Sequence, residues 1–484
     1  MSERPNLLIF MTDHQRADTV MPGHPCLTPN VDRLARDGIR FTRAYCPSPH
    51  CCPSRATFMT GLYPSRHGVW NNLLNDQALS RGLRPGVRSF SEDLRDAGYR
   101  LAYDGKWHVS AEKTPADYGW EERFVSAARA ERHGLSWDQW AKQPPQSPAR
   151  RRAQGEVLRP GWGDIRLFET IPDDAPPGHD ERVVDEAVRA LPELASGTRP
   201  WCLFVGMVGP HDPYRVRRSY VERYRLEDVP LPPSFRDDLK DKPRVVQRMR
   251  RQYWSQLTET EVRDAIRHFW AYCTYLDEQF GRVMAALDAT GQADNTLVLY
   301  TADHGDYCGD HGIFLKGIPC YRGAYEIPCV LRWPVGIARP GRTVDEFVSL
   351  ADFAPTFAEI AGTRSPQRPA GRSLVPILRG ATPDDWPDAV HTQCNGVELY
   401  YSQRSVTTRE WKYVYNGFDD DELYHVAEDP HEMHNLAAHP RYEAAKRDLV
   451  RRMWRFARRE EDAATNSYGT VALCPWGPAE AFLD

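Results

Sequence analysis

The segment Cys46-Pro-Ser-Pro-His-Cys-Cys-Pro-Ser-Arg-Ala-Thr-Phe-Met-Thr-Gly61 sets two adjacent thiols, Cys51 and Cys52, directly before a proline and close to Arg55. Proline in the first turn and glycine just past the last follow the usual asymmetry of helix ends, so the pattern predicts a short helix starting near Pro53 and stopping at Gly61. Free N–H groups and the dipole at such a helix start favour anions and lower a thiol's pKa. Arg55, in the first turn, can point back at the same spot. Together these residues can supply a reactive thiol beside an anion site.

A second chemistry comes from an echo in the chain. Asn6-Leu-Leu-Ile-Phe-Met-Thr-Asp-His14 and Thr296-Leu-Val-Leu-Tyr-Thr-Ala-Asp-His304 are both apolar runs that end in Asp-His. Asp13, His14, Asp303 and His304 offer two carboxylates and two imidazoles, a donor set for one divalent cation. The carboxylates suit Ca²⁺ or Mg²⁺ and the imidazoles lean toward Mn²⁺ or Zn²⁺. A single Asp-His at a strand end is more often a turn or a helix cap than a ligand pair. The duplication turns the reading toward a metal and leaves its identity open.

Cations follow other apolar runs. Leu101-Ala-Tyr-Asp-Gly-Lys-Trp-His108 supplies Lys106 and His108, Gly209-Pro-His-Asp-Pro213 supplies His211, and Gly309-Asp-His-Gly-Ile-Phe-Leu-Lys316 brings Lys316 soon after Asp303. Taken singly, each reads as a surface lysine or a hydrogen-bonded histidine. Collectively they would line the positive pocket that a tetrahedral oxyanion requires.

These residues need elements to bring them together. The runs Leu7–Met11, Leu101–Tyr103, Trp201–Val208 and Leu297–Tyr300 predict buried strands of a parallel or mixed sheet. Helical patterns lie between them at Thr28–Asp37, Ser91–Asp96 and Glu261–Leu287, the last keeping Ile266, Phe269, Trp270, Cys273, Leu276 and Phe280 on one face. The alternation implies a doubly wound α/β domain, in which ligands gather beyond the carboxyl ends of the strands and both Asp-His pairs reach one crevice. After Arg379 the texture changes to short strands, including Ser405–Tyr415, then an acidic turn at Asp419–Glu422 and a terminal helix at Glu443–Glu461. This predicts a small α+β unit at 381–484 behind a large domain at 1–380. Lys142–Asp164, Pro230–Arg251 and Gly362–Gly371 read as loops; the first two are long enough to act as lids, and solvated excursions account for them equally well.

Composition bounds the function. A chain of 484 residues exceeds one average domain, and its 41% hydrophobic content fits a globular enzyme. The net charge of −5, with 62 basic and 67 acidic residues intermixed, gives no reason to invoke nucleic acid or an anionic membrane, so any anion binding is local. Met1-Ser-Glu-Arg-Pro runs straight into Leu7–Phe10 without a secretory pattern, and the longest strongly apolar stretch, Trp201–Gly209, falls far short of the roughly 20 residues that span a bilayer. The expectation is a cytoplasmic protein. Eleven irregularly spaced cysteines argue against a disulfide framework and read mostly as small buried hydrophobes. Oligomeric state is unreadable here, with a homodimer as the starting expectation.

Cys51-Cys-Pro-Ser-Arg55 matches the C-x-P-S-R signature of the type I, formylglycine-dependent sulfatases, a family of the alkaline-phosphatase-like superfamily. Leu62-Tyr-Pro-Ser-Arg-His-Gly68 continues that pattern, and Gly105-Lys-Trp-His108 resembles the second signature. The similarity runs through Thr12-Asp-His-Gln-Arg16, Thr28-Pro-Asn-Val-Asp-Arg-Leu34, Asp303-His-Gly305 and Gly309-Asp-His311 to Leu423-Tyr-His-Val-Ala-Glu-Asp-Pro430 and Asn435-Leu436, essentially the whole chain.

The resemblance implies an alkaline-phosphatase-like large domain, with a mixed, mostly parallel sheet sandwiched by helices, and a smaller α+β domain with an antiparallel sheet. It implies that a formylglycine-generating maturase oxidises Cys51 to formylglycine (3-oxoalanine), leaving Cys52 a bystander, and that the hydrated aldehyde attacks sulfur in line with the leaving oxygen. Asp13, Asp303 and His304 would hold one divalent metal, calcium with manganese or magnesium as alternatives, together with His14 or a substitute. Many relatives carry Asp or Gln where this chain has His14, and often Asn where it has His304. Arg55 would orient the formylglycine. Lys106, Lys316 and His211 would bind the sulfate oxygens, with Lys316 or His211 donating a proton to the departing alcohol. His108 would then take a proton from the remaining hydroxyl, expelling sulfate and regenerating the aldehyde. Asn72, after His67-Gly-Val-Trp-Asn71, resembles a position that contacts the anion, and Asn71 beside it leaves the register open.

The substrate is then a small-molecule or saccharide sulfate ester: a sugar, choline or aryl sulfate. The alternative on the same site is a phosphonate monoester or phosphodiester hydrolase; the Gly-Lys-x-His pattern favours sulfate. A non-catalytic binding protein would have lost the nucleophile or a carboxylate, and a plain thiolate hydrolase would keep Cys51 unmodified. Trp137, Trp140 and Trp162 could stack on a sugar or a cation, although packing is the ordinary role of such residues.

Overall fold

The structure, a computed structural model, describes residues 4–74, 78–125, 151–159, 164–396, 400–417 and 419–483. The four apolar runs become four neighbouring strands of a larger sheet. Its strands are β1 (Asn6–Thr12), β2 (Ile39–Tyr45), β3 (Arg100–Gly105), β4 (Glu121–Val125), β5 (Trp201–Gly206), β6 (Thr296–Ala302), β7 (Cys329–Arg332) and β8 (Arg342–Ser349). They lie in the order β8-β2-β7-β6-β1-β5-β3-β4. β7 runs antiparallel to β6 and β2, and the other neighbours pair in parallel. β1, β5 and β6 are buried at every residue, as strands covered on both faces must be.

Helices supply the two covers: α1 (Pro29–Arg36), α2 (Cys51–Thr60), α3 (Phe90–Asp96), α4 (His179–Ala195), α5 (Arg244–Gln252) and α6 (Glu259–Ala289). Ile9 pairs with Phe204 across β1 and β5, which turns Phe10 to the opposite face. Phe10 meets Phe280 of α6 edge-on at 5.3 Å, while Phe204 meets Phe58 of α2 at 6.1 Å. The six residues expected on the apolar face of α6 are all buried, and Thr258 caps its start in a capping box with Glu261.

A second sheet follows, antiparallel and in chain order: β9 (Ala389–Cys394), β10 (Gln403–Thr408), β11 (Lys412–Asn416) and β12 (Glu422–Tyr424). With α7 (Glu443–Arg459) it encloses its own small core of Val406, Tyr413, Leu423, Leu449, Met453 and Trp454. The mostly parallel sheet between helices and the antiparallel C-terminal sheet are those of the alkaline-phosphatase-like architecture.

Several local readings are corrected. α2 begins at Cys51, two residues before the expected start, because proline is tolerated anywhere among the first N–H groups that have no helical partner. Pro230–Arg251 is not loop throughout: α5 occupies its end, burying Val245 and Val246. Ser405–Tyr415 is a hairpin of β10 and β11, not one strand, and Glu422 opens β12 instead of closing a turn. Of the segment Lys142–Asp164, residues 142–150 and 160–163 lie outside the described residues, as do Trp137, Trp140 and Trp162; Glu156–Val157 pairs antiparallel with Ile165–Arg166. None of the eleven cysteines forms a disulfide; Cys474 is exposed and the rest are buried. No helix among the described residues is long and apolar enough to cross a membrane.

Candidate active site

β1, β3, β5 and β6 run in parallel and end at one edge of the sheet. Asp13 and His14 follow β1, Lys106 follows β3, His211 lies five residues past β5, and Asp303 and His304 follow β6. The topology thus gathers in one place residues that the sequence scatters over some three hundred positions, at the edge where open α/β sheets place their ligands. β3 and β5 approach closely to do so: Gly105 pairs with Gly206, and a Cβ on Gly105 would lie 1.9 Å from the Gly206 carbonyl oxygen.

α2 points its N-terminus into this crevice. His50, in an extended conformation, is the residue before the helix, Cys51 is its first residue, and Gly61 ends it in the left-handed region at φ 69°. Cys51 Sγ lies 3.1 Å from Lys316 Nζ, 3.3 Å from His304 Nε2 and 3.6 Å from Asp13 Oδ1. Arg55 donates from Nε to Asp303 Oδ2 at 2.7 Å and from Nη1 to the Lys106 carbonyl at 2.9 Å. Tyr103 donates its hydroxyl to that same carbonyl at 2.7 Å, fixing the backbone from which Lys106 reaches Asp13 Oδ2. Nη2 of Arg55 is buried without a hydrogen-bond partner and lies 3.7 Å from Asp13 Oδ2.

The histidines pack around the same point. The His304 Nδ1–H donates to the Gly305 carbonyl at 2.8 Å, which leaves the Nε2 lone pair directed toward Cys51 and Asp13. The rings of His14 and His304 are 4.4 Å apart, and those of His14 and His211 are 4.2 Å apart. His211 turns Nδ1 to its neighbour Asp212, 3.0 Å from Oδ1. His14 and His108 hold left-handed backbone at φ 67° and 57°, a conformation that costs about 1–3 kcal/mol and that clusters at functional sites. Asn72 also reaches the helix start, where its Oδ1 accepts the Cys52 N–H at 3.2 Å, whereas Asn71 Oδ1 accepts the Leu79 N–H.

Charge follows from this geometry. Burial alone would raise the Cys51 thiol, but Lys106, Lys316 and His304, with a hydrogen bond to His108, hold it well below its usual range. Burial and the sulfur likewise push Asp13 up, and Lys106, Lys316 and His211 outweigh them, leaving it well below the usual carboxylate range. Asp303 is raised by burial and by Asp13. Burial and Lys106 push His108 down to about 4. Burial would lower His211 too, yet Asp212 overrides it and raises the imidazole to about 10. Burial raises Asp306 to about 7 against the pull of the Cys308 N–H and the Tyr214 hydroxyl.

Ligand atoms of Asp13, His14, Cys51 and His304 all lie within 4.8 Å of one another and are buried. Two oxygens from Asp13 and Asp303, imidazole nitrogens with fixed tautomers and the side chain of residue 51 fit a divalent cation in donor chemistry. Asp13, His14, Cys51, Arg55, Lys106, Asp303, His304 and Lys316 meet in the crevice, with Asp303, bound by Arg55, outside the group of mutually close ligand atoms. Sequence reasoning missed Asp306, which accepts from His14, and Asp180, which holds the turn before His211. Asp306 stands one residue beyond Asp303-His-Gly305, so the motif itself was its signal; Asp180 contacts residues 28 and 29 positions away and has none.

An anion-stabilising helix start, a cation-fitting donor cluster, and buried Arg55 and Lys106 beside half-buried Lys316 at the carboxyl edge of such a sheet define a hydrolase of anionic esters. The chain belongs to the sulfatase family: the Sulfatase family model matches residues 5–363, and the model described as N-sulphoglucosamine sulphohydrolase, C-terminal, matches residues 309–459. It is 30% identical over 459 residues to the uncharacterized sulfatase YidJ of Escherichia coli and 30% identical over 465 residues to the choline-sulfatase of Rhizobium meliloti, each match covering 90% of this chain and 83% of the relative. The phosphonate monoester hydrolase of Agrobacterium radiobacter shares the fold with a TM-score of 0.75 at 24% identity, over 94% of this chain and 96% of that one.

Proposed function

We propose that this sulfatase cleaves organic sulfate monoesters through a formylglycine derived from Cys51, with one divalent cation, Ca²⁺ ahead of Mn²⁺ and Mg²⁺. The observation that carries this reading is the setting of Cys51, first residue of α2, with Lys316 at 3.1 Å and His304 at 3.3 Å and with its thiol held far below the usual range. Asp13, Asp303, His304 and His14 would hold the cation. When present, the aldehyde hydrate and the cation supply a hydroxyl acidic enough to act as a nucleophile at neutral pH.

The chain's own residues do the rest. Lys106, Lys316, His211 and Asn72 bind the sulfate oxygens at the start of α2, and Arg55 holds residue 51 against Asp303. His211, cationic up to about pH 10, carries the proton that the departing alcohol needs, with Lys316 as the second donor. His108, neutral above about pH 4, accepts a proton from residue 51 as sulfate is released. Eleven cysteines without a disulfide among them support a reducing compartment, the cytoplasm. The division into a catalytic unit at 1–380 and a smaller unit at 381–484 stays part of this proposal, as does assembly into a homo-oligomer.

The test is to digest protein made in a host with the maturation machinery, weigh the Cys51 peptide, and screen esters beginning with choline sulfate, then sugar and aryl sulfates. Aldehyde at residue 51, with sulfate-ester hydrolysis that a chelator abolishes, is the expected result. Activity from protein that carries only thiol there would overturn the proposal in favour of a thiolate hydrolase, and a preference for phosphonate monoesters or phosphodiesters would move it to the other chemistry of this fold.

A further inference from the structure

Asp306 takes no part in the chemistry above, yet it is fully buried at the crossing of three segments that do. Its Oδ1 accepts the N–H groups of Cys308 at 2.8 Å and Leu315 at 2.9 Å. Its Oδ2 accepts the Tyr214 hydroxyl at 2.8 Å and faces His14 Nδ1 at 3.1 Å. Tyr214 is itself wholly buried, edge-on to Phe269 of α6 at 5.2 Å. Leu315 stands in the left-handed region at φ 65°, and the next residue is Lys316, whose Nζ reaches Cys51, His304 and the Nε2 of His14.

We propose that Asp306 is a positioning residue that holds His14 in the Nδ1–H tautomer, turning the Nε2 lone pair into the cation site, and that pins the Leu315 N–H so that Lys316 enters the same pocket. A carboxylate can only accept, so the Nδ1 facing it must carry the hydrogen, and the lone pair is left on Nε2. Partners of this kind orient ligating histidines and raise their basicity. The inference rests on the reading of His14 as a metal ligand.

An asparagine at 306 separates this role from packing. Its carbonyl keeps the Cys308 and Leu315 N–H groups, so its amide nitrogen must take the place of Oδ2 and donate toward His14 Nδ1. The imidazole then carries its hydrogen on Nε2 and loses the lone pair aimed at the cation. The measurement is calorimetric titration of chelator-stripped protein with Ca²⁺ and with Mn²⁺ for the native chain, Asp306→Asn, His14→Ala and the double variant. Asp306→Asn is expected to weaken binding about 10- to 100-fold, and to add nothing once His14 is alanine. Native affinity in Asp306→Asn, or losses that multiply in the double variant, would overturn the proposal. If His14→Ala binds as the native chain does, His14 is not a ligand and this inference fails with it, while aldehyde at residue 51 would leave the sulfatase chemistry standing. Should Asp306→Asn not fold, Tyr214→Phe tests the same hub: Oδ2 is left to His14 alone, so affinity holds within about threefold, and a tenfold loss would show that packing around Asp306, not its bond to His14, sets the site.

Discussion

Asp180 offers the sharpest test of how the fold holds His211, the proposed proton donor. This carboxylate is buried in the first turn of α4; its Oδ1 accepts the Val208 N–H at 2.8 Å and its Oδ2 accepts the Gly209 N–H at 2.9 Å and the Tyr272 hydroxyl at 3.3 Å. The Gly209 carbonyl in turn accepts the Asp13 N–H at 3.0 Å, so one side chain braces both the turn that carries His211 and the end of β1. Asp180→Ala leaves two peptide N–H groups without their acceptor. At about 1.5–3 kcal/mol for each bond to a charged group, the cost is about 3–6 kcal/mol of stability. Asp180→Asn keeps one acceptor and should lose about half of that. With the turn released, a displacement of about 1 Å at His211 is worth about 10²-fold in rate. If His211 donates to the leaving alcohol, that loss depends on the leaving group: an alkyl sulfate loses about 10²-fold in kcat, whereas 4-nitrophenyl sulfate, whose phenolate departs unaided, keeps most of its rate. Steady-state kinetics on both esters, with thermal unfolding measured alongside, would check this. Equal losses on the two esters at matched folded fractions would refute the route through His211, and full activity in Asp180→Ala would refute the bracing itself.

Two further expectations concern the elements that carry the site. Glu261 accepts both ends of Arg152 at 2.7 Å and the Gly155 N–H at 2.9 Å; burial raises its pKa, but these bonds and those to Thr258 bring it down to about 2 from 4.5. Because the folded value is the lower one, the stabilisation is complete above about pH 4.5 and is lost as pH falls through about 2. Glu261→Gln should therefore be less stable than the native chain by about 2–3 kcal/mol at pH 7, with the gap closing toward pH 2; a gap independent of pH in urea melts would contradict it. Gly61→Ala forces a side chain into the left-handed cap of α2 at φ 69° and 3.1 Å from the Ala354 Cβ. It should cost about 1–2 kcal/mol in Tm or denaturant midpoint with KM unchanged, since Cys51 lies at the other end of the helix; a changed KM at full folding would show that the strain travels along α2.

What the sequence made legible was whatever a single element determines. β1, β3, β5 and β6 announce themselves because strands buried on both faces must be continuously apolar, and the polar residue that ends each run stands at the sheet edge where ligands collect. Cys51 and Arg55 were legible for the same reason, since the signals of a helix start are local. α5 escaped because its stripe of Val245, Val246 and Met249 is diluted by Arg244, Arg248, Arg250 and Arg251, so that charge hides the period. The hairpin of β10 and β11 escaped because its turn at Arg409 and Glu410 has no glycine, proline or asparagine to mark it. Asp180 escaped for another reason: its meaning lies wholly in partners that only the folded sheet brings near. The placement of Asn71 and Asn72 was likewise a matter of which way a loop faces, and a hydrogen bond to Cys52 N brings Asn72 to the helix start.

The strained backbone of the site points to a pocket built before substrate arrives. His14, His108 and Leu315 all hold left-handed conformations, and each either bears a candidate group or immediately precedes one. At about 1–3 kcal/mol apiece, such residues persist only where surrounding bonds overdetermine them. Two of the three show those bonds: the His14 N–H donates to Asp303 Oδ1 at 3.4 Å, and the Leu315 N–H donates to Asp306. The strain is thus compensated by carboxylates anchored at the same sheet edge, whose bonds hold the backbone that aims these side chains inward. Donors and cations that are already oriented need no reorganisation as charge develops on sulfate oxygens, which is the condition under which electrostatic stabilisation contributes most to rate.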